Sequence, residues 1–306
     1  MDILAELNVR KVDYDEIKQT CQFKLVKDTP VEISIIIPVC GRVEFTEIAC
    51  RYFKEAINHV SEVELRQNKS PFRKRTRIAL TIVEHSDAPE HRDICPEWVN
   101  HIWLPKNGTR FNKCLAHNIG VLFSNQAKSY LFHDLDTLVP KNFFTNVMLN
   151  MRGNDAVQTF TNRRLLYANP TLSESIIKKE TDINTLHPMS PNLRVATSGA
   201  TGGSMFMTSK LFFDVGGYDN EFYSGYSVED TAMYMKLDMV GSLVGCNNPP
   251  NELIHLHHTY SGEGNITQPE AFSALQAYTD LSYNDKLKYM REKSEHLKKY
   301  FYHDKS

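Results

Sequence analysis

Two aspartates separated by one residue, Asp134 and Asp136, follow a run of apolar residues and precede the residues Thr-Leu-Val-Pro. Carboxylates at this spacing can hold a divalent cation together and share it with a diphosphate. Aspartates are also common helix caps and turn residues, and for an isolated Asp-x-Asp pattern that structural interpretation is favoured. The pair therefore indicates a metal site only in combination with further ligands.

A second group of candidate ligands lies far downstream, in the sequence His255-Leu-His257-His258. If this segment forms a strand, the side chains of His255 and His257 project to the same face, as a shared metal ion requires. Neutral imidazole is a suitable ligand for Mn²⁺ beside carboxylates. A solvated cluster of histidines is an equally good alternative, but the combination with the two aspartates is more informative than either motif alone.

An acidic pair, Glu229 and Asp230, lies where a helix is predicted to begin, because apolar residues follow at helical spacing from Ala232 onwards. Carboxylates at a helix N-terminus are favoured electrostatically and can be caps and nothing more. A carboxylate directed from the start of a helix into a cleft can also act as a general base. Both interpretations stay open at the level of composition.

The glycine-rich segment 199–204 includes Gly202 and Gly203 and precedes a short apolar run. Glycines there permit a backbone to approach a ligand closely, and they equally permit a tight turn. The segment matches no established phosphate-loop pattern, so by itself it favours neither interpretation.

Four apolar segments are predicted to be the strands that position these groups, at residues 31–38, 78–83, 101–104 and 129–133. Helices are predicted over residues 45–60 and 113–125. This order predicts an open, mostly parallel sheet, in which ligands bind beyond the carboxyl ends of the strands. Three of those ends carry polar residues that could meet a ligand, namely Arg42, Glu84 and Asp134.

The composition is that of an ordinary globular protein, with 306 residues, 41% hydrophobic and 24% charged. With 35 Lys and Arg against 37 Asp and Glu, the net charge of -2 argues against a general nucleic-acid binder, so no nucleic-acid partner is expected. The six cysteines form no Cys-x-x-Cys pair, and neither an export signal nor a membrane span is recognisable. Reduced thiols in the cytoplasm are therefore expected.

The C-terminal segment 285–306 is predicted to be a helix, with an excess of three positive charges and with four interleaved aromatic residues. Such a helix could rest on an anionic membrane, where a lipid-linked substrate would be presented. The simpler alternative, a helix packed on the core of the protein, is somewhat favoured.

Taken in order, these segments resemble the GT-A glycosyltransferases, in particular the family 2 enzymes and the β-1,4-galactosyltransferases. The sequence from Ile35 to Arg42 is similar to their first strand and its nucleotide-binding exit, and 110–120, RFNKCLAHNIG, is similar to their segment RFNRAxxxNxG. The Asp-x-Asp motif, the glycines 202–203 and 216–217, the acidic pair and the His-x-His element then follow in the order of that family. The resemblance covers residues 31 to 262.

The resemblance implies a GT-A fold, an α/β architecture with an open, mostly parallel sheet flanked by helices. It also implies an inverting, Mn²⁺- or Mg²⁺-dependent transfer of a hexose or N-acetylhexosamine from a UDP-sugar to a hydroxyl of a glycan or lipid-linked saccharide. Because no export signal or membrane anchor is recognisable, a bacterial cytoplasmic enzyme of surface polysaccharide synthesis is expected. The implied organisation is an N-terminal helical extension (1–30), a nucleotide-binding half (31–140), an acceptor and catalytic half (141–262) and a C-terminal helical extension (263–306). A metal-dependent hydrolase and a non-catalytic sugar-nucleotide or glycan-binding module are the alternatives.

Site residues follow from the same resemblance. Asp230 would be the catalytic base and Glu229 would support the acceptor, beside Tyr226 as an aromatic platform for a sugar. Asp136 and His257, with His255, would hold the metal ion. The residues implied to bind the nucleotide sugar are Pro38, Val39, Arg42, Glu84, Arg110, Asn112, Asp134, Gly202 and Gly203.

Overall fold

The computed structural model describes residues 11–26, 29–67, 76–159, 165–195, 202–220, 228–240, 243–245, 252–259 and 269–302. The strands in these residues are β1 (Gln22–Lys24), β2 (Val31–Val39), β3 (Ile78–Ser86), β4 (Asn100–Pro105), β5 (Ala127–His133), β6 (Thr137–Leu138), β7 (Ala156–Gln158), β8 (Leu165–Ala168), β9 (Leu193–Val195), β10 (Ser204–Thr208), β11 (Leu243–Gly245) and β12 (Leu253–His255). The helices are α1 (Tyr14–Thr20), α2 (Thr46–Gln67), α3 (Lys113–Phe123), α4 (Phe143–Asn150), α5 (Pro170–Ile177), α6 (Ser209–Asp214), α7 (Glu229–Met239), α8 (Pro269–Asp280) and α9 (Tyr283–Tyr302).

The main sheet has the strand order β1-β4-β3-β2-β5-β10-β7-β11. From β4 to β5 neighbouring strands run parallel, whereas β10 is antiparallel to both of its neighbours. Strand β2 lies among the parallel strands and is buried along almost its whole length, as its continuous apolar sequence predicts. The four strands predicted from apolar runs are β2 to β5, and the predicted open, mostly parallel α/β sheet is confirmed.

Helices cover both faces of this sheet. Side chains such as Ile36 and Val83 pack with α3, α6, α7 and α9 on one face, while Ile35 and Ile82 pack with α2 and α4 on the other. Helix α3 lies especially close to β2, because a Cβ atom at Gly120 would be 2.4 Å from Cγ2 of Ile36. This contact holds α3 against the sheet, with its first residue near the carboxyl ends of the parallel strands.

A second, smaller sheet has the order β6-β12-β8-β9. Strand β6 begins immediately after Asp136 and pairs antiparallel with β12, which ends at His255. Strand β12 also runs parallel to β8, and β8 pairs with β9. The small sheet therefore brings the second aspartate and the histidine segment to the same place.

Both ends of the described chain pack against the central unit. At the N-terminus the helix α1 is followed by the strand β1, which joins the edge of the main sheet, so this extension is not purely helical. The hydroxyl of the buried Tyr14 donates a hydrogen bond to Oδ1 of Asn220, 3.0 Å away. The domain boundaries themselves stay predictions.

Three aromatic residues of the C-terminal helix α9 face the interior of the protein. Tyr289 and Tyr300 are buried, the Tyr289 hydroxyl donates to Asp219 over 2.8 Å, and the ring of Phe301 lies 4.5 Å from that of Phe213. These aromatic side chains therefore belong to the core, which is the alternative to membrane contact that the sequence left open. Within the described residues, no helix is both long enough and apolar enough to cross a membrane.

Candidate functional site

The side chain of Lys113, only 12% exposed, contacts three carboxylates at the carboxyl edge of the parallel strands. Nζ of Lys113, at the start of α3, lies 2.9 Å from Oδ1 of Asp134, 3.0 Å from Oδ2 of Asp230 and 3.6 Å from Oε1 of Glu229. Burial alone would lower the pKa of Lys113, but the surrounding carboxylates raise it well above its ordinary value. The ammonium group is therefore charged and joins segments that are far apart in the sequence.

Two glycines make room for one of these carboxylates. A Cβ atom at Gly202 would lie 2.0 Å from Oδ2 of Asp230, and the backbone of Gly203 hydrogen-bonds the Asp230 side chain. Gly203 has a φ of 94°, a conformation that favours glycine, and its carbonyl oxygen accepts from the N–H of Asp134. The close approach that these glycines permit is therefore, in this structure, an approach to Asp230.

The two members of the acidic pair differ in exposure. The side chain of Asp230 is 25% exposed, whereas that of Glu229 is 4% exposed. Burial, and then the charge of Asp230, raise the pKa of Glu229 from 4.5 to about 7, and burial also raises the pKa of Asp230. Asp230 is therefore the carboxylate of the pair that can meet a ligand. The sequence predicted that Glu229 contacts the acceptor sugar, but its side chain is too deeply buried for such a contact.

A second polar cluster forms around Asp136. Its ligand atoms are a carboxylate oxygen of Asp136 and ring nitrogens of His255 and His258, which all lie within 4.8 Å of one another. Nε2 of His255 is 3.4 Å from Oδ1 of Asp136, and Nε2 of His258 is 3.2 Å from Oδ2. The guanidinium group of Arg42 forms an ion pair with the same carboxylate.

The donor set of this cluster fits a divalent metal ion. Burial would raise the pKa of Asp136, but His255, His258 and Arg42 together hold it well below the ordinary value, so the carboxylate is ionised. One carboxylate and two imidazoles can together bind a divalent transition-metal ion, and the carboxylate oxygen is the type of ligand that suits Mn²⁺. Asp136, His255 and His258 are thus the residues that could hold such an ion.

His257 lies outside this cluster, contrary to the expectation from the His-x-His spacing. Strand β12 ends at His255, so the alternation of side chains expected in a strand does not extend to His257. His257 is exposed, and its backbone N–H donates to Oγ of Ser173 over 2.7 Å. The irregular backbone instead directs His258 to Asp136, three residues after His255.

The fold of this chain is similar to that of solved glycosyltransferase structures. No protein-family model and no curated protein matches the chain. The crystal structure of GalNAc-T7 with UDP, GalNAc and Mn²⁺ aligns with 87% of this chain and 55% of its own, at a TM-score of 0.50 and 12% identity. This chain has a GT-A glycosyltransferase fold. Two other solved structures are also similar. Drosophila β1,4-galactosyltransferase 7 with xylobiose aligns with 79% of this chain and 78% of its own, at a TM-score of 0.48 and 14% identity. S. aureus TarS 1–349 aligns with 83% of this chain and 68% of its own, at a TM-score of 0.45 and 14% identity.

Within the GT-A fold, Glu84 does not face a ligand site. It is fully buried, and its carboxylate oxygens lie 2.8 Å from Nε2 of His101, 2.8 Å from Oγ of Ser86 and 2.7 Å from the N–H of Glu90. The N–H of His91 donates to the same carboxylate over 3.2 Å. Glu84 thus holds the loop after β3, which explains its position at a strand end without the predicted contact to a nucleotide base.

Asn112 likewise has a structural role in this GT-A fold. Its side-chain oxygen accepts from the N–H of Leu115 and caps α3, and its amide donates to the carbonyl of Asn220, both over 2.8 Å. Pro38 and Val39 are buried at the end of β2, and Arg110 is exposed between β4 and α3. Tyr226, the predicted sugar platform, lies outside the described residues.

Three residues of the site were not singled out from the sequence: Lys113, His117 and His258. Lys113 had a usable signal, since it stands where the galactosyltransferase segment RFNRA has its second arginine. Together with Asp134, Asp230 and His117 it lines a cavity of about 10 Å³, which has room for about one water molecule. His117 stacks on Tyr218, which also lines this cavity, with ring centroids 4.4 Å apart.

The positions of His257 and His258 yield a direct test of the metal cluster. We expect His258→Ala to weaken Mn²⁺ binding roughly tenfold or more, since losing even an outer partner of a ligand typically costs ~10–100-fold. His257→Ala, its matched control one residue away, should bind Mn²⁺ like the wild type. Isothermal titration of both variants with Mn²⁺ measures this, and a larger loss for His257→Ala would refute the assignment.

The raised pKa of Glu229 predicts a stability change with pH. The folded protein holds this proton more tightly than the unfolded chain, so the free energy of unfolding should fall as pH rises from the ordinary carboxyl pKa of 4.5 to about 7. Glu229→Gln should remove this loss and stabilise the protein above pH 7, by on the order of 2 kcal/mol. Urea unfolding at several pH values measures both effects.

The exposed Glu62 provides the control for that experiment. Glu62→Gln should leave the slope of unfolding free energy against pH as it is in the wild type. If the curves of unfolding free energy against pH for Glu229→Gln and the wild type run parallel from about pH 5 to pH 8, burial does not raise the pKa of Glu229.

Proposed function

We propose that the chain is an inverting, metal-dependent glycosyltransferase. It would move a hexose or an N-acetylhexosamine from a UDP-sugar to a hydroxyl of a glycan or a lipid-linked saccharide. The observation that carries this proposal is the juxtaposition made by one short turn: Asp134 contacts the Lys113 cluster, and Asp136 is the centre of the metal-binding cluster. A base and a cation site side by side are what displacement of a diphosphate needs.

Asp230 would be the general base. Burial raises the pKa of its partly exposed carboxyl, which strengthens it as a proton acceptor, while Lys113 and the Gly203 backbone oppose that rise and favour the ionised form. It would take the proton from the acceptor hydroxyl as the hydroxyl oxygen attacks the anomeric carbon. The bond from that carbon to UDP breaks in the same step, which inverts the configuration at the carbon.

Asp136, His255 and His258 would hold the metal ion, which when bound supplies positive charge to the leaving diphosphate. Arg42 lies at the same carboxylate and has a left-handed φ of 57°, at the start of a 3₁₀ turn beyond β2. From this position its guanidinium group could bind a phosphate oxygen of the donor. The GalNAc-T7 structure of the same fold contains UDP, GalNAc and Mn²⁺, which supports a donor of this kind.

The donor side of the site would be completed by the end of β2, with Pro38 and Val39, and by Arg110. Gly202 and Gly203 would contribute by holding Asp230, and Tyr226 would stack on the acceptor sugar. Synthesis of a bacterial surface polysaccharide in the cytoplasm stays a prediction from the sequence.

A donor screen tests the proposal. Purified protein with Mn²⁺ is incubated with UDP- and GDP-sugars and a panel of glycan acceptors, and release of free nucleotide is measured with and without EDTA. EDTA-sensitive release from a UDP-sugar, with the sugar joined to an acceptor, is the expected result. Recovery of free sugar alone would favour the hydrolase, and UDP binding without turnover on any acceptor would favour the binding module.

The role of Asp230 can then be tested with the donor so identified. Asp230→Asn should lower kcat by ~10²–10⁴, the usual contribution of a general base, while binding of Mn²⁺ and UDP persists. The matched control is Asp238→Asn, on the exposed side of the same helix, which should keep wild-type turnover. Near-normal turnover of Asp230→Asn would mean that another group takes the proton.

A further inference from the structure

One row of the small sheet forms a layered stack beside the metal-binding cluster. The register pairs His255 of β12 with Tyr167 of β8, and Tyr167 with Arg194 of β9. The rings of Tyr167 and His255 are stacked almost parallel, with centroids 4.4 Å apart and planes 11° apart. Cζ of Arg194 lies 5.6 Å from the Tyr167 ring centroid. The imidazole, the phenol and the guanidinium thus follow one another across three strands.

Hydrogen bonds do not account for the orientation of the His255 ring. A metal-bound imidazole normally donates its second N–H to a carboxylate, a backbone carbonyl or water, and this fixes the ring. Nε2 of His255 faces Asp136, but its buried Nδ1 has no hydrogen-bond partner within the described part of the chain. His258 differs, because its Nδ1 lies 3.3 Å from the carbonyl oxygen of Thr259.

We propose that Tyr167 is a positioning residue for the metal centre, holding the plane of the His255 imidazole by stacking where a hydrogen bond would usually hold it. This inference rests on the metal site of the proposed function. The parallel contact restricts rotation of the imidazole about its bond to Cβ, so Nε2 stays directed at Asp136. Arg194, over Tyr167, is attracted to the π-face of the phenol and holds it in place.

Two substitutions distinguish the contribution of the Tyr167 ring from that of its hydroxyl group. Tyr167→Phe keeps the ring and should bind Mn²⁺ with wild-type affinity. Tyr167→Val removes the ring but keeps a residue suited to a strand, and it should weaken Mn²⁺ binding about tenfold, the scale of a lost outer partner. Titration with Mn²⁺ alone, followed by electron paramagnetic resonance of the free ion, measures these affinities. The exposed Tyr283, far along the chain in α9, provides the control Tyr283→Val.

A double-mutant cycle distinguishes positioning of His255 from a general effect on the fold. If Tyr167 acts through His255, the Tyr167→Val substitution should cause no further loss of Mn²⁺ affinity in a His255→Ala protein. An equal loss in both backgrounds would overturn the proposal. Circular dichroism checks folding, and Tyr167→Leu replaces Tyr167→Val if the latter is unfolded.

Failure of this inference can be told apart from failure of the proposed function. If the wild type binds no Mn²⁺, or if His258→Ala leaves its affinity unchanged, the metal site itself is refuted and the inference with it. If His258→Ala weakens binding but Tyr167→Val and Tyr167→Leu, both folded, bind like the wild type, only the role of Tyr167 is refuted.

Discussion

The ammonium group of Lys113, whose side chain is only 12% exposed, is the constraint on which the candidate site depends. Three carboxylates lie within 3.6 Å of one cation and leave a net negative charge there, which water reaches at Asp134 and Asp230 but hardly at Glu229. Unpaired charge is costly in such surroundings, and the most buried carboxyl, Glu229, responds by holding its proton up to about pH 7. The more exposed Asp230 shares the cation with Asp134. The same electrostatic balance thus distinguishes a structural acid from a group that can take part in chemistry.

The turn from Asp134 to Asp136 connects the carboxylates around Lys113 to the candidate metal cluster of Asp136, His255 and His258. Its first aspartate faces α3 and α7, which pack on one side of the main sheet, and its last leads directly into β6 of the small sheet. Because β6 pairs with β12, His255 and His258 lie close to Asp136. The small sheet is therefore more than an addition to the GT-A fold, since its strand β12 carries His255 and leads to His258, and its strand β8 carries Tyr167, which stacks on His255.

Polar residues at strand ends serve both the site and the framework around it. Glu84 holds the loop after β3, and His91 in that loop contacts both Thr46, through Nδ1 over 2.7 Å, and the carbonyl of Gly41, through Nε2 over 3.0 Å. Gly41 directly precedes Arg42, the residue that reaches Asp136. Glu84, which was expected to contact a nucleotide, therefore supports the loop whose His91 holds the backbone next to Arg42.

The sequence by itself determined the central strands β2 to β5 and the α3 helix, because continuous apolar runs and helical spacing reflect burial directly. It also determined which chemical groups stand at the strand ends, including the two aspartates, the acidic pair and the histidine segment. Only the tertiary structure decided which of these groups meet. His258 rather than His257 turns to Asp136 because β12 ends at His255, and that end depends on pairing with strands distant in the sequence. Glu84 and Asn112 are occupied by hydrogen bonds within the protein, and residue type does not reveal such partners. Lys113 acquires its importance only when three separate segments place their carboxylates around it.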